Sequence, residues 1–185
     1  MFGLFSLIFS AFALETGDKA PDFQLNSTEG RSYSLSSFKG KVVVLEWFNP
    51  GCPFVKYSYK NELTKTLAKD NPDVVWLAIN SGAPKKQGHG IKANKKAIEK
   101  WSIPYPVLLD ESGMVGKAYE AKTTPHMYII NQNGILVYQG ALDDAPFGKG
   151  KNPTHYVRNA LSALKAGTEI SPNQTKAYGC SVKYK

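Results

Sequence analysis

The chain has 185 residues and a mass of 20.3 kDa, enough for one domain with a full core and too few for two. Hydrophobic residues make up 42% of it and charged residues 21%, which excludes a disordered, collagen-like or repeat protein. The net charge of +8 raises nucleic acid or an anionic membrane as partners. However, only Arg31 and Arg158 are arginines, and the lysines, densest from Lys85 to Lys100, have no aromatic residues interleaved among them. The pattern reads as a solvated basic face, and no nucleic-acid partner is expected.

The first residues are apolar, and Ala11-Phe12-Ala13 has the A-x-A form accepted at signal cleavage sites. Residues 1–13 therefore read as an export signal, which predicts a periplasmic or secreted protein. A domain over residues 14–167 and a C-terminal tail over residues 168–185 follow. Nothing later approaches the ~18 consecutive apolar residues that cross a bilayer, so no transmembrane segment is expected in the mature chain.

The segment Gly17 to Phe23 reads as extended, with a short strand or turn around Gly30 to Leu35. The run Lys41 to Phe48 is, after Lys41 and apart from Glu46, continuously apolar and opens with three β-branched valines, the pattern of a strand buried on both faces. It ends at Asn49-Pro50-Gly51, and a helix is predicted from Pro53 to about Lys69 with Val55, Tyr59, Leu63 and Leu67 on one face. A strand over Asp73 to Ile79, a helix over Lys92 to Trp101 and a strand over Pro106 to Leu109 complete a βαβαβ order. Such alternation builds a largely parallel sheet flanked by helices. A hairpin follows, Met127 to Ile130 and Ile135 to Tyr138, turned at Asn133-Gly134. A last helix runs from about Thr154 to Lys165, with Tyr156, Ala160, Leu161 and Leu164 inward, and Gly167 stops it. The tail beyond has no periodicity and one chemically notable residue, Cys180.

Cys52 falls where the buried strand gives way to the helix, with Pro53 at a position that tolerates a missing N–H. Free helix-start amides and the helix dipole favour a thiolate there, and Lys56 one turn on adds positive charge. Glu46 is an acid in an apolar strand, so it must be protonated or paired; either a proton-transfer group or a lysine-bound carboxylate meets that demand. His126 follows Pro125 and could approach the thiol, whereas His89 and His155 have no evident partner. Asp143-Asp144 reads as a turn with solvated charges.

This constellation resembles the thioredoxin-like superfamily over about Gly17 to Lys165. Cys52 matches the nucleophilic first cysteine of its motif, Glu46 the buried carboxylate six residues earlier, and Lys56 the lysine four residues later. Thr124-Pro125 matches the cis-proline opposite the nucleophile. The additional strand and helix between Ile79 and Leu109 make the chain similar to the redoxin branch, of alkyl hydroperoxide reductase/thiol-specific antioxidant type. Within it, Asn49-Pro50-Gly51-Cys52-Pro53-Phe54-Val55 with a distant Gly-Cys-x-Val-Lys resembles a less-studied group. The resemblance implies an α/β thioredoxin-like fold, with a central mixed sheet flanked by helices, an N-terminal extension and a C-terminal tail. It also implies a groove shaped by Asn49, Pro53, Thr124 and Pro125.

Two departures matter. Val55 occupies the second cysteine position of C-x-x-C, so Cys180, 128 residues downstream of Cys52, is the one candidate resolving thiol in the chain. The peroxiredoxin motif P-x-x-x-T-x-x-C would require Pro at position 45 and Thr at position 49, where Leu45 and Asn49 stand, and its later arginine aligns with Pro125. Metal binding by a copper-chaperone C-x-x-x-C is also broken, by Lys56, and no metal or cofactor is expected. Three functions stay open: exchange with a protein or small-molecule disulfide by the Cys52 thiolate, completed by Cys180 or an external thiol reductant; peroxide reduction through a Cys52 sulfenate; or a non-catalytic binding module with a structural disulfide.

Overall fold

The computed structural model describes residues 13–185. The expected export signal, residues 1–13, thus lies almost wholly outside the described residues.

Strand β3 (Val43–Trp47) organises the molecule, with every residue buried. Alternation along it sends Val44 and Glu46 to one face and Val43, Leu45 and Trp47 to the other, so each face nucleates its own core. Each such large apolar side chain removed from water contributes roughly 1.5–3 kcal/mol before entropy is counted. On the first face Val44 and Phe48 pack with Val55 and Tyr59 of α1 (Pro53–Lys60) and Leu67 of α2 (Leu63–Asp70). Ala97 and Trp101 of α3 (Ile91–Trp101) and Val157, Ala160 and Leu161 of α5 (Tyr156–Ala166) join the same core. The opposite face is covered by Ala20 and Phe23 of the N-terminal segment, by Leu35 of a 3₁₀ turn, and by Tyr119 and Ala121 beyond α4 (Met114–Ala118).

The sheet is mixed, as expected. β3 runs parallel to β4 (Val75–Asn80), which runs parallel to β5 (Val107–Leu109). On the other side β3 pairs antiparallel with β7 (Met127–Ile130), and β7 with β8 (Leu136–Gly140). β1 (Gln24–Ser27) and β2 (Ser32–Ser34) extend the far edge, giving the order β2-β1-β5-β4-β3-β7-β8. The β7–β8 turn is tied by Asn131, whose Oδ1 accepts from the amides of Asn133 and Ile135, and Gly134 takes φ 78°.

Several expectations are corrected. The helix predicted over Pro53 to Lys69 is two helices, broken at Asn61 and Glu62, where Glu62 adopts φ 59°. The apolar positions Val55, Tyr59, Leu63 and Leu67 recur every four residues, a spacing that drifts about 40° per step around a helix of 3.6 residues per turn, and the break resets the stripe onto the core. Asp143 is not solvated: it is 3% exposed and accepts from the Tyr178 hydroxyl and the Ala145 amide. His89 Nε2 lies 3.1 Å from Glu111 Oε1 without forming a hydrogen bond to it. The C-terminal tail is bonded to the main sheet. Its amides and carbonyls bond to Gln139, and the Thr175 hydroxyl meets Tyr138 Oη and the Ala141 amide. Among the described residues, no helix is long and apolar enough to cross a membrane.

Candidate active site

The loop after β3 is folded by its own side chain. Asn49 Oδ1 accepts from the Gly51 amide at 2.7 Å, the Asn49 carbonyl accepts from the Cys52 amide at 3.0 Å, and Asn49 Nδ2 donates to the Gln87 carbonyl at 3.1 Å. Asn49 is 2% exposed, so its role in the predicted groove is to shape the turn rather than to present a surface. Cys52 then caps α1 in an extended conformation (φ −72°, ψ 127°), with Pro53 as the first, exposed helical residue.

The Cys52 sulfur lies 3.0 Å from the Thr124 carbonyl oxygen and 2.8 Å from the sulfur of Cys180. Both cysteines are free thiols; Cys52 is fully buried and Cys180 partly exposed. What joins them is a small second sheet in which β6 (Thr123–Thr124) pairs antiparallel with β9 (Cys180–Ser181), Thr124 opposite Cys180. The Thr124–Pro125 bond is cis, and both residues are buried beside the thiol pair. After β9 the chain stays bound: the Val182 amide donates to the Lys122 carbonyl, the Ala83 amide to the Lys183 carbonyl, and the Tyr184 hydroxyl to the Ala121 carbonyl. Residues 178–184 therefore form a strap across the start of α1 and the Thr124–Pro125 turn.

The two thiols are electrostatically unlike. Burial works against ionisation of Cys52, but the Cys180 thiol, the Val55 amide in the first turn of α1 and Thr124 outweigh it and lower the Cys52 pKa from the ordinary value. Burial and the neighbouring Cys52 push Cys180 up to about 11, against the opposing fields of Lys183 and Lys56. Lys56 is exposed on α1, and its charge falls on Cys180.

Glu46 faces the core beneath α1 at 0% exposure. Its Oε2 accepts from the Tyr59 hydroxyl at 2.8 Å and from the Tyr105 hydroxyl at 3.2 Å, while Oε1 has no partner. Burial dominates and raises its pKa to about 7, with Tyr59, Trp76 and Tyr105 opposing. The hydrogen-bond partners are thus two phenols, not a lysine. His126 turns away to Tyr128, its Nδ1 3.0 Å from that hydroxyl, and burial lowers its pKa to about 4, so it stands neutral.

Sequence reasoning missed the phenol pair Tyr59 and Tyr105, the Tyr178–Asp143 tie, and both strands of the small sheet. Two-residue strands carry no periodicity to read. The signal that was present is Gly179 before Cys180: at φ +140°, any Cβ at this position would overlap the Thr124 carbonyl.

A mixed sheet with a helix-capping thiol across from a cis-proline defines a protein of the thioredoxin-like class. The chain belongs to the Redoxin family, whose model matches residues 15–152. It is 31% identical over 124 residues to the thiol-disulfide oxidoreductase ResA of Geobacillus thermodenitrificans, covering 66% of this chain and 67% of that one. It is also 31% identical over 143 residues to the chloroplastic peroxiredoxin Q of Sedum lineare, covering 70% and 72% of the two chains. Among solved structures, an uncharacterized conserved protein from Geobacillus kaustophilus matches with TM-score 0.82 and 34% identity over 93% of each chain. A hypothetical protein from Sinorhizobium meliloti matches with TM-score 0.81 and 26% identity, covering 94% of this chain and 97% of that one. The chain is accordingly a thiol-dependent oxidoreductase with a thioredoxin-like fold.

Proposed function

We propose that the protein is a thiol-disulfide oxidoreductase whose working couple is Cys52 and Cys180. The observation that carries this reading is the 2.8 Å separation of the two sulfurs at the N-terminus of α1. Cys52 is the nucleophile, since its pKa is lowered while that of Cys180 is raised. Its thiolate attacks one sulfur of a substrate disulfide and expels the other as a thiolate; Cys180 then attacks the mixed disulfide, releases the second substrate thiol and closes the Cys52–Cys180 disulfide. A protein or small-molecule disulfide is the substrate, and an external thiol regenerates the couple. Glu46, with a pKa near neutrality, takes or returns the proton beneath the helix. Thr124 and Pro125 form the wall against which the substrate sulfur is aligned. Because Cys52 is covered, exchange starts when β9 lifts from β6, a ladder of only two residue pairs. The apolar leader supports a periplasmic or secreted location, where such a disulfide persists.

A second reading is favoured by the coverage of Cys52: a hydroperoxide is small enough to reach a thiolate that a protein disulfide reaches only after the strap moves. Peroxide would oxidise Cys52 to a sulfenate with loss of an alcohol or water, and Cys180 would condense with it, releasing water. The peroxiredoxin Q relatives support this alternative. Insulin reduction and hydrogen peroxide consumption, measured for wild type, Cys52→Ser and Cys180→Ser, decide between them. The first reading expects the insulin rate to dominate and Cys52→Ser to abolish it; a dominant peroxide rate selects the second, and activity surviving in Cys52→Ser overturns both.

A further inference from the structure

The two sulfurs of the couple do not face solvent equally. Cys52 is fully buried, whereas Cys180 is partly exposed on β9 beside the exposed Ser181. A thiolate displaces a disulfide sulfur from the side opposite the sulfur that leaves. To attack Cys52, a reductant would have to reach a sulfur that is 0% exposed and packed against the Thr124 carbonyl at 3.0 Å. To attack Cys180 it arrives from the side away from Cys52, toward the outer surface of the strap.

The surroundings of Cys180 also carry a sign. Lys183, two residues beyond β9, holds its ammonium on the Ser181 hydroxyl at 3.0 Å, next to Cys180, and Lys56 is exposed on α1 one turn beyond Cys52; both place positive potential on the Cys180 sulfur, and no carboxylate is among the groups that perturb it most. We propose that, within the Cys52–Cys180 couple argued above, the oxidised protein is reduced through Cys180, by a thiol that bears carboxylate groups. The reductant thiolate attacks the Cys180 sulfur, forming a reductant–Cys180 disulfide and releasing Cys52 as a thiolate. A second reductant thiolate attacks the reductant's sulfur, forming the oxidised reductant and freeing Cys180, which takes a proton from solvent. Two thiols supply the two electrons. The leaving group in the first step is the cysteine whose environment favours the anion, which speeds departure. Cys52 thus meets the oxidant and Cys180 the reductant.

The test uses the full-length protein oxidised with diamide, its intramolecular disulfide verified by mass under denaturing conditions, then mixed with glutathione, quenched in acid and peptide-mapped. The expected result is glutathione on the Cys180 peptide at about tenfold or greater excess, with Cys52 free to be alkylated. Glutathione on Cys52, or on both equally, overturns the proposal. Failure to form the intramolecular disulfide overturns the couple itself, so the two failures are distinct. For the charge preference, reduction rates per thiolate are compared for glutathione, neutral 2-mercaptoethanol and cationic cysteamine. Glutathione is expected to be fastest and cysteamine slowest, with Lys56→Gln combined with Lys183→Gln narrowing the spread several-fold; equal rates for the three thiols in wild type remove the carboxylate-bearing reductant.

Discussion

Gly179 lies so close to Thr124 that a Cβ atom at position 179 would overlap the Thr124 carbonyl, the same carbonyl that faces the Cys52 sulfur. The residue before Cys180 therefore sets how near the tail can bring its thiol. Gly179→Ala combines that overlap with a φ of +140°, a conformation side-chain-bearing residues rarely adopt. Diamide-driven formation of the Cys52–Cys180 disulfide is expected to slow by about tenfold or more, while the thermal midpoint falls only a few degrees, because β9 lies outside the main sheet. Stopped-flow oxidation with mass-spectrometric counting of thiols measures both cysteines, and an unchanged rate would show that the close approach is unimportant.

The strap is held at its start by Tyr178, whose hydroxyl donates to the buried Asp143 carboxylate. Removing a donor from such a carboxylate costs about 1.5–3 kcal/mol, here charged mostly to the local closing of the strap. Tyr178→Phe should raise iodoacetamide labelling of Cys52 several-fold with little change in global unfolding. Peptide mapping after a timed pulse reads it, and labelling equal to wild type would mean that the tie does not hold the strap.

Cys180 lowers the Cys52 pKa mainly by donating a hydrogen bond. Cys180→Ser keeps a donor of similar size and Cys180→Ala does not, so the pH midpoint for alkylation of Cys52 is expected to be higher in the alanine variant than in the serine variant. Identical midpoints would assign the lowered pKa to the helix start alone.

Glu46 titrates near 7 in the folded chain against 4.5 when unfolded. Between those values the native state keeps a proton that the unfolded state has lost, so stability falls as pH rises through this window. Glu46→Gln lacks the penalty while still accepting from Tyr59 and Tyr105. Its stability relative to wild type should therefore improve from about pH 4 to about pH 8, by about 3 kcal/mol in all. Urea unfolding at the two pH values tests the sign, and a difference independent of pH contradicts a buried, proton-holding carboxylate.

The architecture was readable because its strongest elements are long or sharply patterned. The fully buried β3, the Asn131-to-Ile135 turn and the amphipathic α3 and α5 each announce themselves by pattern and by turn residues, and their bounds shifted by only a residue or two. The break at Glu62 was not readable, since Val55, Tyr59, Leu63 and Leu67 suit one drifting helix as well as two aligned ones. Asp143 was misjudged for a related reason: a pair of aspartates after a strand looks solvated until a tyrosine 35 residues later covers one of them.

From its residues alone, this protein has a thioredoxin-like sheet and a cysteine at the start of a helix, because burial pattern, Pro53 and the Asn49-Pro50-Gly51 turn act over a few neighbouring positions. That Cys180 covers that cysteine, that Lys56 acts on Cys180, and that Glu46 rests on Tyr59 and Tyr105 were decided only by the fold. These are contacts across tens of residues, made by strands of two residues and by single side chains. No local preference encodes them; they exist because the packed sheet brings their backbones within reach.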